Sequence, residues 1–175
     1  MNVKDEHGFT LIEILAVTAL LGLLMALGAS AFQGYARRQS LDAATDRVVG
    51  ELRAVQQRVV SESNPLVYGA RVVEGSGDLE LIRYNPNGAL GSRCSIVETV
   101  ELTGGMFSAP VQLRSASFSD PEPVPTCTTE LGVAEYVFFF ARGTATAGSL
   151  QVYQPQIGAS ETITITDLTA RVRRS

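Results

Sequence analysis

A single carboxylate, Glu13, stands at the head of a stretch that is otherwise uncharged from Ile14 to Phe32. That stretch holds 19 residues. As a helix rising about 1.5 Å per residue, it nearly matches a bilayer hydrocarbon core of about 30 Å. An acid at the edge of such a segment is costly, up to about 2.5–3.5 kcal/mol at a helix centre and less near the interface. A charge held there calls for a partner. Ahead of it lies a short polar leader, residues 1–8, ending in a Gly8–Phe9 junction.

Other readings of the segment compete. A secretory signal cleaved after Ala29-Ser30-Ala31 has the small-x-small form, but its apolar core is normally about 7–15 residues. The leader is also barely basic, with Lys4 offset by Asp5 and Glu6. A plain signal anchor would leave Glu13 without a role, and a buried core helix is disfavoured by the segment's length. Arg37 and Arg38 beyond the far end, against Lys4 at the near end, point by the positive-inside rule to a cytosolic C-terminal side. The leader pattern is more specific than a charge difference of that size.

The run GFTLIEILAVTALLGLLMALGASAF, residues 8–32, resembles the class III signal and N-terminal helix of type IV pilins and type II secretion pseudopilins. It departs from many major pilins in having no proline in the apolar half. The resemblance implies cleavage after Gly8 by a prepilin peptidase on the cytosolic face, N-methylation of Phe9, and pairing of Glu13 with the terminal amine of a neighbouring subunit. The chemistry is consistent, because each buried charge lowers the other's burial cost when the two are positioned together. The resemblance further implies a single-pass protein of the inner membrane, with its head on the periplasmic side, that later enters a pilus or pseudopilus. Expected partners are the peptidase, other pilin or pseudopilin subunits, the inner-membrane assembly platform and membrane lipid.

The chain has 175 residues and a net charge of −4. With the leader and the whole helix to residue 62 set aside, about 110 residues remain, enough for one small domain with its own core. Without residues 1–8 the chain carries 13 basic and 16 acidic residues, not the balance of a general nucleic-acid binder. The single histidine, His7, lies in the leader, so His-based acid–base catalysis and His metal ligation are not expected of the processed chain. No nucleophile elbow, phosphate loop, zinc-protease or CxxC motif is present. The expectation is a non-enzymatic protein with no cofactor and no metal. Cys94 and Cys127 are the only cysteines. An even count in an exported domain points to one disulfide, the alternative being two buried thiols. It would close a loop of about 34 residues, worth roughly 3–4 kcal/mol in the chain-entropy model.

From Tyr35 the pattern becomes amphipathic. Leu41, Val48, Leu52, Val55 and Val59 recur at helical spacing among Arg37, Arg38, Asp42, Arg47, Glu51, Arg53, Arg58 and Glu62. Ser63-Asn64-Pro65 is a helix stop. One helix over residues 9–62 would be about 80 Å long. Beyond Pro65 the period changes to two, predicting strands over 66–73, 79–84, 96–102, 111–118, 135–140, 150–153 and 162–166. Gly75-Ser76-Gly77-Asp78, Asn85-Pro86-Asn87-Gly88, Gly104-Gly105 and residues 141–148 supply turns, and the proline-rich 120–125 a stiff loop. The expected fold class is α+β. A long N-terminal helix, transmembrane in its apolar half, packs its second half on an antiparallel β-sheet head. The expected organisation is a leader at 1–8, a membrane or filament-core helix at 9–34 and a head at 35–175. Within the head we expect helix at 35–62, β structure at 66–166 and a basic tail at 167–175.

A second resemblance covers the head. LDAATDRVVGELRAVQQRVVSESNP at 41–65 is similar to the helix of the GspH/FimT group. So is the late Phe139-Phe140-Ala141-Arg142-Gly143-Thr144-Ala145 stretch, and so are the final residues, where Ala170 replaces the glycine of a Gly-Arg-x-Arg tail. The group implies a minor pseudopilin near a pseudopilus tip or a minor pilin. Some of its pilins bind DNA, which makes Arg171, Arg173 and Arg174 candidate phosphate contacts and DNA an alternative partner. Three such contacts give a salt slope of only about −2 to −3.

Overall fold

A computed structural model describes residues 10–62, 67–89, 91–102, 110–119, 127–167 and 169–174. Gly8, Phe9, the Ser63-Asn64-Pro65 stop, the Gly104-Gly105 turn and the proline-rich loop lie outside the described residues. The chain divides into two units, Met1–Tyr35 and Ala36–Ser175. Helix α1, Leu11–Ser61, contributes to both.

In the second unit the apolar stripe of α1 is buried at Leu41, Ala44, Val48, Val49, Leu52, Val55 and Val59. The period of 3.6 residues places these side chains on one face, so the helix forms a wall of the core. Thr45 is buried in the same stripe, where its hydroxyl donates to the Leu41 carbonyl at 2.8 Å. That bond removes the penalty of an unpaired polar group.

The rest of the unit is two antiparallel sheets. In the first, β3 (Cys94–Glu101), β2 (Asp78–Tyr84), β1 (Val67–Val72) and β5 (Glu135–Phe139) lie in that order. The second runs β4 (Gln112–Phe118), β6 (Gly148–Gln154), β7 (Ala159–Ile165) and β8 (Val172–Arg174). Backbone bonds join the sheets: Gly75 N–H to Leu113 O and Leu113 N–H to Ser76 O, both 2.8 Å. The inner faces meet α1 in one cluster that includes Ala70, Leu79, Leu113, Val137, Leu150, Val152, Ile163 and Ile165.

The pleat splits β1 between two environments. Tyr68, Ala70 and Val72 enter the main core, while partly buried Val67 packs, with Tyr84, Leu131 and Tyr136, on a second cluster of Ile82, Cys94, Cys127 and Phe138. Gly69 is required at its place, because a Cβ there would sit 2.2 Å from the Val137 carbonyl oxygen. Cys94 and Cys127 are disulfide-bonded, with Cα atoms 5.6 Å apart. The bond ties the start of β3 to the short helix α2, Thr128–Leu131.

Two elements differ from the sequence expectation. Helix α2 was not foreseen. Residues 172–174, read as part of a basic tail, form β8, paired with β7 through Ile165↔Val172, Thr164↔Arg173 and Ile163↔Arg174. The physical reason is that Val172 is buried while the arginines around it face outward, the pattern of a charged edge strand.

Candidate functional site

In the first unit, Thr10 and Glu13 form a capping box. The Glu13 carboxylate accepts the Thr10 N–H and hydroxyl, each at 3.0 Å, and the Glu13 N–H donates to Thr10 Oγ1 at 3.3 Å. Reciprocal bonds of this kind satisfy donors that a helix start otherwise leaves unpaired. They also fix the carboxylate at the positive end of the helix dipole. Sequence reasoning assigned Glu13 an intermolecular role and missed Thr10, although the T-x-x-E spacing was there to be read.

Beyond this cap the helix is apolar and exposed: Leu11 is 79% accessible, Ile12 74% and Met25 71%. It is long and apolar enough to cross a membrane, judged by length and composition. Apolar surface of this extent is covered by lipid or by other protein in a functioning molecule.

The basic residues at the C-terminal end divide into two kinds. The Arg174 guanidinium contacts Asp42, reaches Asp46 at 3.2 Å and bonds Glu161 at 3.0 Å. Glu161 first, and then Asp42, raise its pKa further above the ordinary arginine value. Arg174 therefore clamps β8 to α1 and β7. Arg171 and Arg173 are exposed and form no ion pair among the described residues. The three-arginine contact expected from sequence thus reduces to two open guanidiniums. Arg53, which sequence reasoning did not connect with this end, donates from Nη2 to the Val172 carbonyl at 3.2 Å.

Ala170 enters β8 with φ at +45° and is fully buried. An L-residue in that region carries a cost of about 1–2 kcal/mol. Here it stands where the resembling group has glycine.

Residues 3–29 match the family model for the prokaryotic N-terminal methylation motif. Fimbrial protein Q of Moraxella bovis is 30% identical over 109 residues, covering 61% of this chain and 64% of that relative. The chain therefore spans less than two thirds of the relative's length. Two structures of the minor pseudopilin EpsH, from the type II secretion system of Vibrio cholerae, share the fold. Their TM-scores are 0.52 and 0.55 and their identities 12% and 9%, each covering 78% of this chain and 96% of the other.

The chain carries the prokaryotic N-terminal methylation motif and shares the fold of a minor pseudopilin. Its motif residues 10–29, so far as they are described, are the capped start of α1 and the apolar exposed run behind it. In this pilin-like chain the Cys94–Cys127 bond is held from a second direction. The Glu130 carboxylate accepts the N–H groups of Arg93, at 3.0 Å, and of Cys94. The Cys94 donor, followed by Arg93 and Gly91, holds this carboxyl below the ordinary glutamate pKa.

Proposed function

We propose that the chain is a minor pilin or pseudopilin precursor, a structural subunit and not a catalyst. Its leader is cut after Gly8 by a prepilin peptidase, Phe9 is methylated, and the apolar half of α1 anchors the chain in the inner membrane with the head outside the cytoplasm. Assembly then carries it into a type IV pilus or a type II secretion pseudopilus, with Glu13 meeting the terminal amine of an adjacent subunit.

The observation that carries this reading is the N-terminal methylation motif at residues 3–29, whose described part is the capped, exposed apolar start of α1. The head's likeness to a minor pseudopilin supports placing the chain among minor subunits. No observation favours the DNA-uptake alternative, since Arg174 is committed to three carboxylates. Gly8→Ala is the direct test. The variant is expected to keep its leader when co-expressed with the peptidase, measured as intact mass. A normally shortened Gly8→Ala chain would overturn the reading.

A further inference from the structure

Helix α1 and strand β8 leave between them a cleft of about 470 Å³. Arg53, Gln56 and Gln57 line it from the helix, and Thr169, Arg171 and Arg173 from the other side. Gln56 and Gln57 follow Arg53 by three and four positions and so share its helix face. Arg171 and Arg173 flank buried Val172 and are both exposed, and the pleat of β8 sends Arg173 to the opposite side of the strand from it.

Three arginines thus line one concavity. Arg53 is anchored there by the Val172 carbonyl, a neutral partner, and forms no ion pair among the described residues. The carboxylates that ion-pair at this end of the head, Asp42, Asp46 and Glu161, are all bound to Arg174. Like charges held together without a counter-charge destabilise a fold. An anionic occupant would reverse that.

The chemistry of the lining distinguishes the occupants. Guanidinium forks match carboxylate and phosphate alike. Gln56 and Gln57, however, also offer carbonyl acceptors, which a phosphate cannot use and a peptide N–H can. The acid triad around Arg174, one residue from Arg173, would repel a long anionic run of either kind, so the occupant is short. We propose that this cleft docks a short acidic segment of a neighbouring protein subunit. The segment's carboxylates lie on Arg53, Arg171 and Arg173, and its backbone lies against the glutamine amides. That the neighbour is a filament subunit rests on the function proposed above.

The test uses the full chain in detergent micelles and fluorescein-labelled octaglutamate, with octaglutamine and a short DNA duplex as comparison probes. Anisotropy is followed at about 50 mM and about 200 mM salt. Octaglutamate is expected to bind at low salt and octaglutamine not. The double variant Arg171→Gln/Arg173→Gln should bind octaglutamate about tenfold or more weakly. Arg142→Gln, an exposed arginine outside the cleft, should bind as the parent does. Equal binding by the double variant would overturn the proposal. So would tighter binding of the duplex than of octaglutamate, lost in the same double variant, which would assign the cleft to nucleic acid. Leader processing is read separately, so a failure of docking is not confused with a failure of the assembly reading.

Discussion

Glu130 shows how one side chain can make part of a fold sensitive to acid. Its carboxyl is held below the ordinary glutamate pKa, chiefly by the Cys94 N–H. The unfolded chain therefore takes up this proton more readily than the folded one. The stabilisation is complete above the unfolded value of about 4.3 and is lost as pH falls through the lower folded value. Glu130→Gln should lower the urea midpoint at neutral pH and flatten its decline below about pH 4. Parallel acid limbs for the two proteins would show that the carboxylate has no such part. The cysteine count announced the bond beside it, but nothing local announced Glu130. Its backbone partner at Cys94 lies 36 residues away, and a four-residue helix leaves no periodic trace.

Among the elements, the C-terminal strand depends most on charge. Strand β8 has three residues and one ladder partner, and Arg174 fastens it to two carboxylates of α1 and one of β7. Arg174→Met keeps much of the aliphatic stem and removes the charge. We expect a loss of about 1 kcal/mol in urea unfolding at low salt, shrinking at high salt as the freed carboxylates are screened. No change at low salt would leave the clamp without energetic weight. The larger elements were legible beforehand. The stripe from Leu41 to Val59 keeps helical spacing, and β6 and β7 alternate buried with more open positions, because each buries one face. Strand β8 was not legible, since three arginines in five residues read as solvated chain. The signal was Val172, an apolar residue among charges, too short a pattern to separate from chance.

At the level of the whole molecule, the same carboxylate has an observed role and a proposed one. Glu13 caps its own helix through Thr10, and we propose that it also meets a neighbour's amine. Glutamine separates the two roles, since it keeps the capping-box geometry and lacks the charge. Glu13→Gln and Glu13→Val should both insert in the membrane, and both should enter sheared filaments about tenfold or more poorly than the parent, because a buried amine left unpaired is costly. Normal incorporation of Glu13→Gln would mean that capping is the whole of Glu13's work. Membrane length and the lone acid were plain in the sequence. The capping bonds were equally available in the spacing of Thr10 and Glu13.

The Cys94–Cys127 bond makes a closed ring of the chain between positions 33 apart in sequence. That ring carries β3, the outer strand of one sheet, and β4, the outer strand of the other. A protease that severs any single peptide bond inside it yields two fragments that stay covalently joined, and β5 of the second still pairs with β1 of the first. For a head that, as proposed above, faces enzymes outside the cell, one cut in that region is a scar and not an amputation.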